Sequence, residues 1–387
     1  MQFSELYLQT VSLLHNLTTS NGILASTIEA DNYKRIWARD SMVCGIAGLW
    51  INDETVTEGL KNSLLVLAKS QNEWGVIPSN VLPDGTDASF GSLVGRIDAN
   101  TWFMLGACLY HKQTRDEETW KILKPSIIKC RTFLNATEFN NKGWIYTPLS
   151  GNWADEYPIH GYTLYDNVLR LWGEKEWLEI EGQDTAQLEV ILKKTHANFW
   201  PSSTTETKLI YQKPAFLKAL QKEPKHFAAF ILPGNYDLRF DAAGNALAFL
   251  FFGLNEMHKK QLSEFLKTLP EFLIPAFWPI IDTKSTDWNL LEGNYSFDFK
   301  NHPGDFHNGG IWPVWMGLLC LGLAKNGMTD VSNKIIESFL KIISKDPLWK
   351  FQEYINSKTM KLGGKTQMGY TASGIVFMKL AKDLTQN

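Results

Sequence analysis

Cysteine is scarce in this chain: four residues, far apart, at Cys44, Cys108, Cys130 and Cys320. Most lie inside apolar stretches and read as reduced core residues. The Cys-x-x-Cys and Cys/His spacings of a metal site are missing, so neither metal nor cofactor is expected. Blocks of one charge are also missing. The 38 Lys+Arg and 41 Asp+Glu leave a net charge of −3, which makes nucleic acid and anionic membranes poor partners. The longest apolar run, "IWPVWMGLLCLGLA" at 311–324, is interrupted by Pro313 and is shorter than the roughly 20 residues of a bilayer span. The opening "MQFSELYLQTVSLLHN" lacks the basic start and long apolar stretch of a signal peptide. A soluble cytoplasmic protein is therefore expected, and a homo-oligomer is left open. A terpene-cyclase-like helical barrel is disfavoured, because there is no Asp-Asp-x-x-Asp run.

What the chain does have is apolar and aromatic. Hydrophobic residues make up 44% of its 387 residues, enough for a sizeable core in either two domains or one large α-barrel. Fifteen Trp and 22 Phe exceed what a core ordinarily uses. Rings with an apolar face and a polar edge suit a surface that grips a sugar.

Two kinds of helix alternate along the sequence. Amphipathic stretches are predicted at about 5–15, 54–71, 116–136, 184–199, 257–269 and 329–345. In 329–345 the apolar residues Val331, Ile335, Ile336, Phe339, Ile342 and Ile343 keep a three-to-four spacing, with Lys and Glu opposite. Between them, at about 40–52, 97–113, 161–174, 239–256, 307–325 and 369–384, lie stretches apolar nearly all round and containing glycine. Helices of that kind are buried. Strand alternation is limited to short pieces such as "KLIYQK" at 208–213. The simplest architecture is all-α: an (α/α)6 barrel with six inner and six outer helices, and one catalytic domain over 1–387. Two helical domains are the alternative.

Polar and aromatic residues concentrate just before the inner helices, in "IWARD", "GRIDANTW", "GNWADEYPIHGY", "LPGNYDLRFD", "HPGDFHNGGIW" and "FQEYINSKTMKLGGKTQMGY". In a barrel those ends share one rim. They bring Trp37, Arg39, Asp40, Asp98, Trp153, Asp155, Glu156, His307, Asn308, Trp312 and Glu353 around one concavity. Carboxylates bind vicinal hydroxyls and indoles stack on the C–H face of a pyranose, so the expected ligand is a small carbohydrate. The plainer alternatives are a salt-bridged helix cap at Arg39–Asp40, a helix cap at His307–Asn308, and a core position for Trp312.

Glycoside hydrolysis requires two carboxyl groups flanking the scissile bond. Asp155, beside Trp153, Tyr157 and Pro158, has the partly apolar setting of a proton-holding acid. Glu353, before a polar glycine-bearing loop, has that of an ionised base. Asp98, Glu156, Glu292 and Asp305 are rivals that spacing alone does not exclude.

At these residues the sequence resembles the neutral/alkaline invertases. "RIWARDSM", "FGSLVGRIDANTWF", "GNWADEYPIHGYTLYDN", "FDAAGNALAFLF", "FHNGGIWPVWMGLLC" and "FQEYINS" stand in that family's order, over about 31–380. The α-1,6-glucosidase part of glycogen debranching enzymes is a more distant likeness, and both point to a six-hairpin glycosidase. The resemblance implies a metal-free, inverting hydrolase of α-linked glucose. Asp155 would be the acid and Glu353 the base, with Arg39, Asp40 and Asp98 holding the sugar. Inversion also implies a carboxyl separation of roughly 6.5–9.5 Å. Two positions depart from the family pattern: Glu156 stands where the invertases have Arg, and "YINS" follows Glu353 where they have Asp-Gly. Both are toward the leaving group, so the aglycone stays open. A sugar epimerase would need paired histidines, and only His307 stands at a motif. A non-catalytic sugar-binding protein would not need both Asp155 and Glu353.

Overall fold

At five of the six inner helices the first backbone N–H is bound by the next loop of the rim, and at the sixth a backbone N–H two residues earlier is. The computed structural model describes residues 2–29, 31–91 and 94–384; Ser92 and Leu93, within the "FGSLVGRIDANTWF" motif, lie outside that set. Among the described residues the helices are α1 Phe3–Leu17, α2 Ala38–Trp50, α3 Glu54–Lys69, α4 Ile97–Thr114, α5 Glu117–Ala136, α6 Leu164–Ile180, α7 Ala186–Phe199, α8 Lys213–Leu220, α9 Ala242–Phe251, α10 Glu256–Leu266, α11 Trp288–Glu292, α12 Pro313–Lys325, α13 Thr329–Ile343 and α14 Gly369–Asp383.

Six of them close a ring: α2 packs on α4, α4 on α6, α6 on α9, α9 on α12, α12 on α14, and α14 back on α2. These are the helices apolar on every side; in α12 every residue from Pro313 to Ala324 is buried. The amphipathic α1, α3, α5, α7, α10 and α13 form the outer layer. In α13 the inward face is Ser332, Ile335, Ile336, Phe339 and Ile343, as the spacing predicts. The expected (α/α)6 barrel is therefore present. The short α8 and α11 are additions in the connections. None of the helices among the described residues is long and apolar enough to cross a membrane.

The rim is held by backbone. Ala38 N donates to Ser79 O, Ile97 N to Gly151 O, Leu164 N to Ala229 O, Ala242 N to Ala276 O, and Gly369 N to Ala25 O, at 2.8–3.0 Å. Proline opens α12 and has no N–H, so Ile311 N takes its place, bonding Ile355 O at 2.8 Å. Each acceptor lies in the loop before the following inner helix, and Ala25, before α2, completes the circle. Small antiparallel pairings widen the belt, such as Trp37 with Asn80 and Phe277 with Asp241. Helix N-termini otherwise leave unsatisfied donors. Here backbone answers one at each helix, and only α9 adds a side-chain cap, from Asp241 to Ala243 N.

Four expectations need correction. "KLIYQK" is not a strand: Thr207–Leu209 forms a 3-10 turn, and Gln212 with Pro214 starts α8, because the alternating segment has no edge to pair with. The inner helices α6, α9 and α12 begin later than predicted, since the polar residues before them lie in rim loops. His307 and Asn308 do not cap a helix, because α12 begins at Pro313. The indoles mostly fill the core: Trp102, Trp120, Trp144, Trp177, Trp200 and Trp315 are buried and do not line the rim cavity.

The tightest seam is α12 on α14. A Cβ on Gly317 would meet the Gly374 carbonyl, and one on Gly374 the Pro313 carbonyl. Gly317→Ala should lower the unfolding free energy by about 1–3 kcal/mol, read by chemical denaturation. Gly234→Ala, where nothing lies within 4 Å, should change it little.

Candidate active site

A cavity of about 570 Å³ opens at this rim. Its floor is built on α2. Arg39 donates from Nη1 to Asp98 Oδ2 at 3.0 Å, and its Nε stands 3.6 Å from Asp40 Oδ2. Burial works against the guanidinium charge, but Asp98, Tyr370 and Asp40 outweigh it and raise its pKa further. Burial pushes Asp40 up to about 6 against the pull of Arg39. Below the floor the barrel axis is filled: Trp153 meets Trp315 edge-on, and Trp315 stacks on Trp102. The cavity is therefore blind.

One wall is aromatic. Trp153 contacts His307 at 5.0 Å and Trp312 at 5.7 Å between ring centres. His307 stacks on Trp312, which in turn stacks on Tyr354. His307 Nδ1 bonds the Asp155 carbonyl at 2.8 Å. A carbonyl only accepts, so the proton is on Nδ1; burial pushes the imidazole down to about 4, leaving it neutral with Nε2 as acceptor. Trp37, at the opposite wall, donates from Nε1 to Asn32 O.

The loop carrying Trp153 and Asp155 is fastened from beneath by Asp166 of α6. Its Oδ2 accepts from Thr147, Asn152 and Thr163 at 2.7–3.0 Å. Asp155 pairs with Arg96, whose Nη2 is 2.9 Å from Oδ2; the Asp155 side chain is 31% exposed. Glu353 is buried. Its Oε1 accepts from Tyr33 OH at 3.0 Å and its Oε2 from Lys365 N at 3.2 Å. Burial pushes it up to about 7, opposed by those two donors.

Nine of the expected site residues line this cavity: Trp37, Arg39, Asp40, Trp153, Asp155, Glu156, His307, Trp312 and Glu353. Two do not. Asp98 is behind the floor as the partner of Arg39 and Tyr165. Asn308 is fully buried, and its amide is occupied by the backbone of Ile281 and Asn301; it braces the loop. Among the rival carboxylates, Glu156 alone joins the lining. The expected settings of the two carboxyls are reversed. Asp155, predicted in apolar surroundings, is ion-paired near the mouth, and Glu353, predicted in a polar loop, is the buried one. Residues distant in sequence cause this, since Arg96 reaches Asp155 and the Tyr33 loop covers Glu353.

Sequence reasoning passed over Tyr33, Arg96, Phe297, Lys300 and Tyr370, all of which line the cavity. Arg96 stood inside a quoted motif, and Tyr370 is the second residue of α14, as Arg39 is of α2. Four buried donors or acceptors on lining residues have no hydrogen-bond partner within the protein: Arg39 Nε, Ser79 Oγ, Trp153 Nε1 and Tyr370 Oη. Buried polar atoms are rarely left so.

Residues 184–387, just over half of the chain, match the family described as alkaline and neutral invertase. The chain belongs to that family. Among its relatives is neutral/alkaline invertase 1, mitochondrial, of Oryza sativa subsp. japonica, 26% identical over 159 residues, covering 39% of this chain and 24% of that one. Alkaline/neutral invertase E, chloroplastic, of Arabidopsis thaliana is 25% identical over 160 residues, covering 40% and 25%. The match thus spans about a quarter of the length of these invertases. Their names, with that of cytosolic invertase 1 of rice, span three compartments, so kinship does not single out the cytoplasm. In three dimensions the chain resembles the GH63 mannosylglycerate hydrolase of Thermus thermophilus in complex with glucose, with TM-score 0.67, 12% identity and coverage of 97% and 100%. The glucoamylase of Saccharomycopsis fibuligera has TM-score 0.63, 11% identity and coverage of 100% and 96%. At such identities the likeness shows the fold, a six-hairpin glycosidase barrel.

The invertase-family setting of Glu353 can be tested without substrate. In ¹³C-NMR its side-chain carboxyl should titrate near pH 7, where burial has pushed it. Tyr33→Phe removes a donor that favours the charged form, so the midpoint should rise by roughly half to one pH unit. A midpoint near that of an exposed glutamate would overturn this account.

Proposed function

We propose that this protein is an inverting glycoside hydrolase that releases glucose from an α-linked glucoside, sucrose-like or an α-glucan oligosaccharide. Asp155 is the general acid and Glu353 the general base. The reading treats residues 1–387 as one catalytic domain, which accords with α14 packing on both α1 and α2. The observation that carries it is two carboxyls, 198 positions apart in the chain (353 minus 155), lining one blind cavity whose buried polar atoms lack protein partners. A blind cavity takes one sugar end first, so cleavage is exo.

The sugar being released occupies the floor. Arg39 and Asp40 bind its hydroxyls, Trp153 Nε1 and Tyr370 Oη supply further bonds, and Trp312 covers a ring face. Asp98 acts through Arg39, whose charge and orientation it holds. Asp155, nearer the mouth, protonates the leaving oxygen. Glu353, oriented by Tyr33 and the Lys365 amide, takes a proton from water attacking the far face of the anomeric carbon. His307, neutral and bonded to the Asp155 carbonyl, positions the acid loop. It has no histidine partner among the lining residues, which disfavours epimerase chemistry.

The lining holds six carboxyls, from Asp31, Asp40, Asp155, Glu156, Asp298 and Glu353, against Arg39, Arg96 and Lys300. Two of those cations already pair with acids. Such a cavity favours neutral sugars over anionic aglycones such as the glycerate in the Thermus enzyme's name. One observation favours a second assignment with the roles exchanged: the Arg96 ion pair suits an ionised Asp155, and Glu353 is the carboxyl that burial protonates.

Glucosyl fluoride separates the two, because fluoride leaves without a proton. Asp155→Asn should lower turnover of a cleaved disaccharide by about 10²–10⁴-fold while retaining most activity on α-glucosyl fluoride. Glu353→Gln should lose both. The reverse pattern would exchange the roles. Proton NMR of fresh product should show β-glucose; α-glucose would mean retention. Sucrose, trehalose, maltose and isomaltose form the substrate panel, and sugar binding without turnover would mark a non-catalytic binder.

A further inference from the structure

The cavity changes character toward its mouth. The floor groups Trp153, His307, Trp312 and Glu353 are buried, whereas Phe297 at the mouth is 84% exposed, the most exposed large apolar side chain among the described residues. A phenyl ring in that position is hydrated on nearly all sides, yet it lines a sugar-sized cavity. Its own neighbours do not bury it: Tyr295 and Phe299 pack on one another and Trp288 joins Phe299, leaving Phe297 outside the cluster.

The segment carrying it is tied to the acid loop. Ser296 N donates to Glu156 Oε1 at 2.8 Å, Asn301 Nδ2 to the Glu156 carbonyl at 3.1 Å, and Asn294 Nδ2 to Ser150 Oγ. Glu156 itself has φ of 60°, a left-handed conformation unfavourable for a non-glycine residue. It adjoins Asp155, and both its carbonyl and its carboxylate are turned to the 294–301 segment.

We infer that Phe297 is the platform on which the leaving sugar stacks, and that Glu156 is the positioning residue that holds this platform beside the acid. The inference rests on the hydrolase reading and assigns the leaving-group side of the same cavity. The chemistry selected is a sugar leaving group with an apolar C–H face, since a flat ring stacks on such a face and gains from being dehydrated. Glu156 thereby holds the strap with its carboxylate and is not free to clamp the substrate.

The test compares each variant on α-glucosyl fluoride, which has no leaving sugar, and on the disaccharide of the panel that the protein cleaves fastest. Phe297→Ala should lower kcat/KM for the disaccharide about tenfold, mostly through KM, and for the fluoride less than twofold. Phe297→Tyr should restore the disaccharide. Glu156→Ala should reproduce the Phe297→Ala pattern, Glu156→Gln, which keeps the acceptor for Ser296 N, should not, and the double variant Glu156→Ala/Phe297→Ala should be no worse than Phe297→Ala alone. Equal losses on both substrates, or none on either, overturn the platform. Additive losses in the double variant overturn the role of Glu156. A wild-type protein that cleaves neither substrate overturns the hydrolase reading itself, a result distinguishable from the others because it precedes any variant.

Discussion

The belt of backbone hydrogen bonds around the rim is the constraint on which the site depends. A buried helix must satisfy the donors at its N-terminus, and the usual solution is a Ser, Thr, Asp or Asn cap. Five of the six inner helices have no such side-chain bond. Four of these instead bond the carbonyl of the next rim loop from their first residue, and α12, which opens on proline, does so from Ile311 just before it. The consequence is twofold. The loops are fixed to one another in a closed circle, so residues from distant parts of the chain hold their relative positions. The polar side chains at the rim are also released from capping and are available to a ligand. Arg39, Asp40 and Trp312 are residues of this kind.

The electrostatics then follow from depth. At the floor, burial dominates: Asp40 and Glu353 are both pushed toward neutrality, and Arg39 stays charged because three anionic or polar neighbours share it. Closer to water, pairing dominates, and Asp155 is held by Arg96. Two carboxyls on one cavity with different environments are what acid–base chemistry requires. In the free protein, however, the buried member is the one a sequence reading takes for the base.

The architecture was legible because it rests on periodicity. Six all-round apolar stretches and six amphipathic ones can be arranged in few ways, and glycines such as Gly317 and Gly374 mark where two inner helices nearly touch. Nine of the eleven expected residues line the cavity because a barrel gathers the N-terminal ends of its inner helices. What sequence did not reveal were contacts closed in space. Asn308 stands in the most recognisable motif, "HNGG", yet braces Ile281. Trp315 looks like its neighbour Trp312 but is one turn into the core. Tyr33 precedes Glu353 by 320 positions, and no spacing rule links them. The surplus of tryptophan was misread for a related reason: a ring of helices this wide needs large side chains to fill its axis, and Trp102 and Trp315 do so.

Of the two departures from the invertase pattern, the one after Glu353 includes Ile355, whose carbonyl is part of the belt, whereas Glu156 stands beside it. Everything inside the belt is tied to helix starts, and a change there would disturb the ring. The neighbour of Glu156, Asp155, lines the cavity, while the carboxylate and carbonyl of Glu156 itself reach to Ser296 and Asn301. An arginine at this position would present a donor to the Ser296 amide, itself a donor, and could not hold the strap in the same way. A residue that departs from the family pattern is thus one that ties the 294–301 segment, which carries Phe297 at the mouth, to the loop of Asp155.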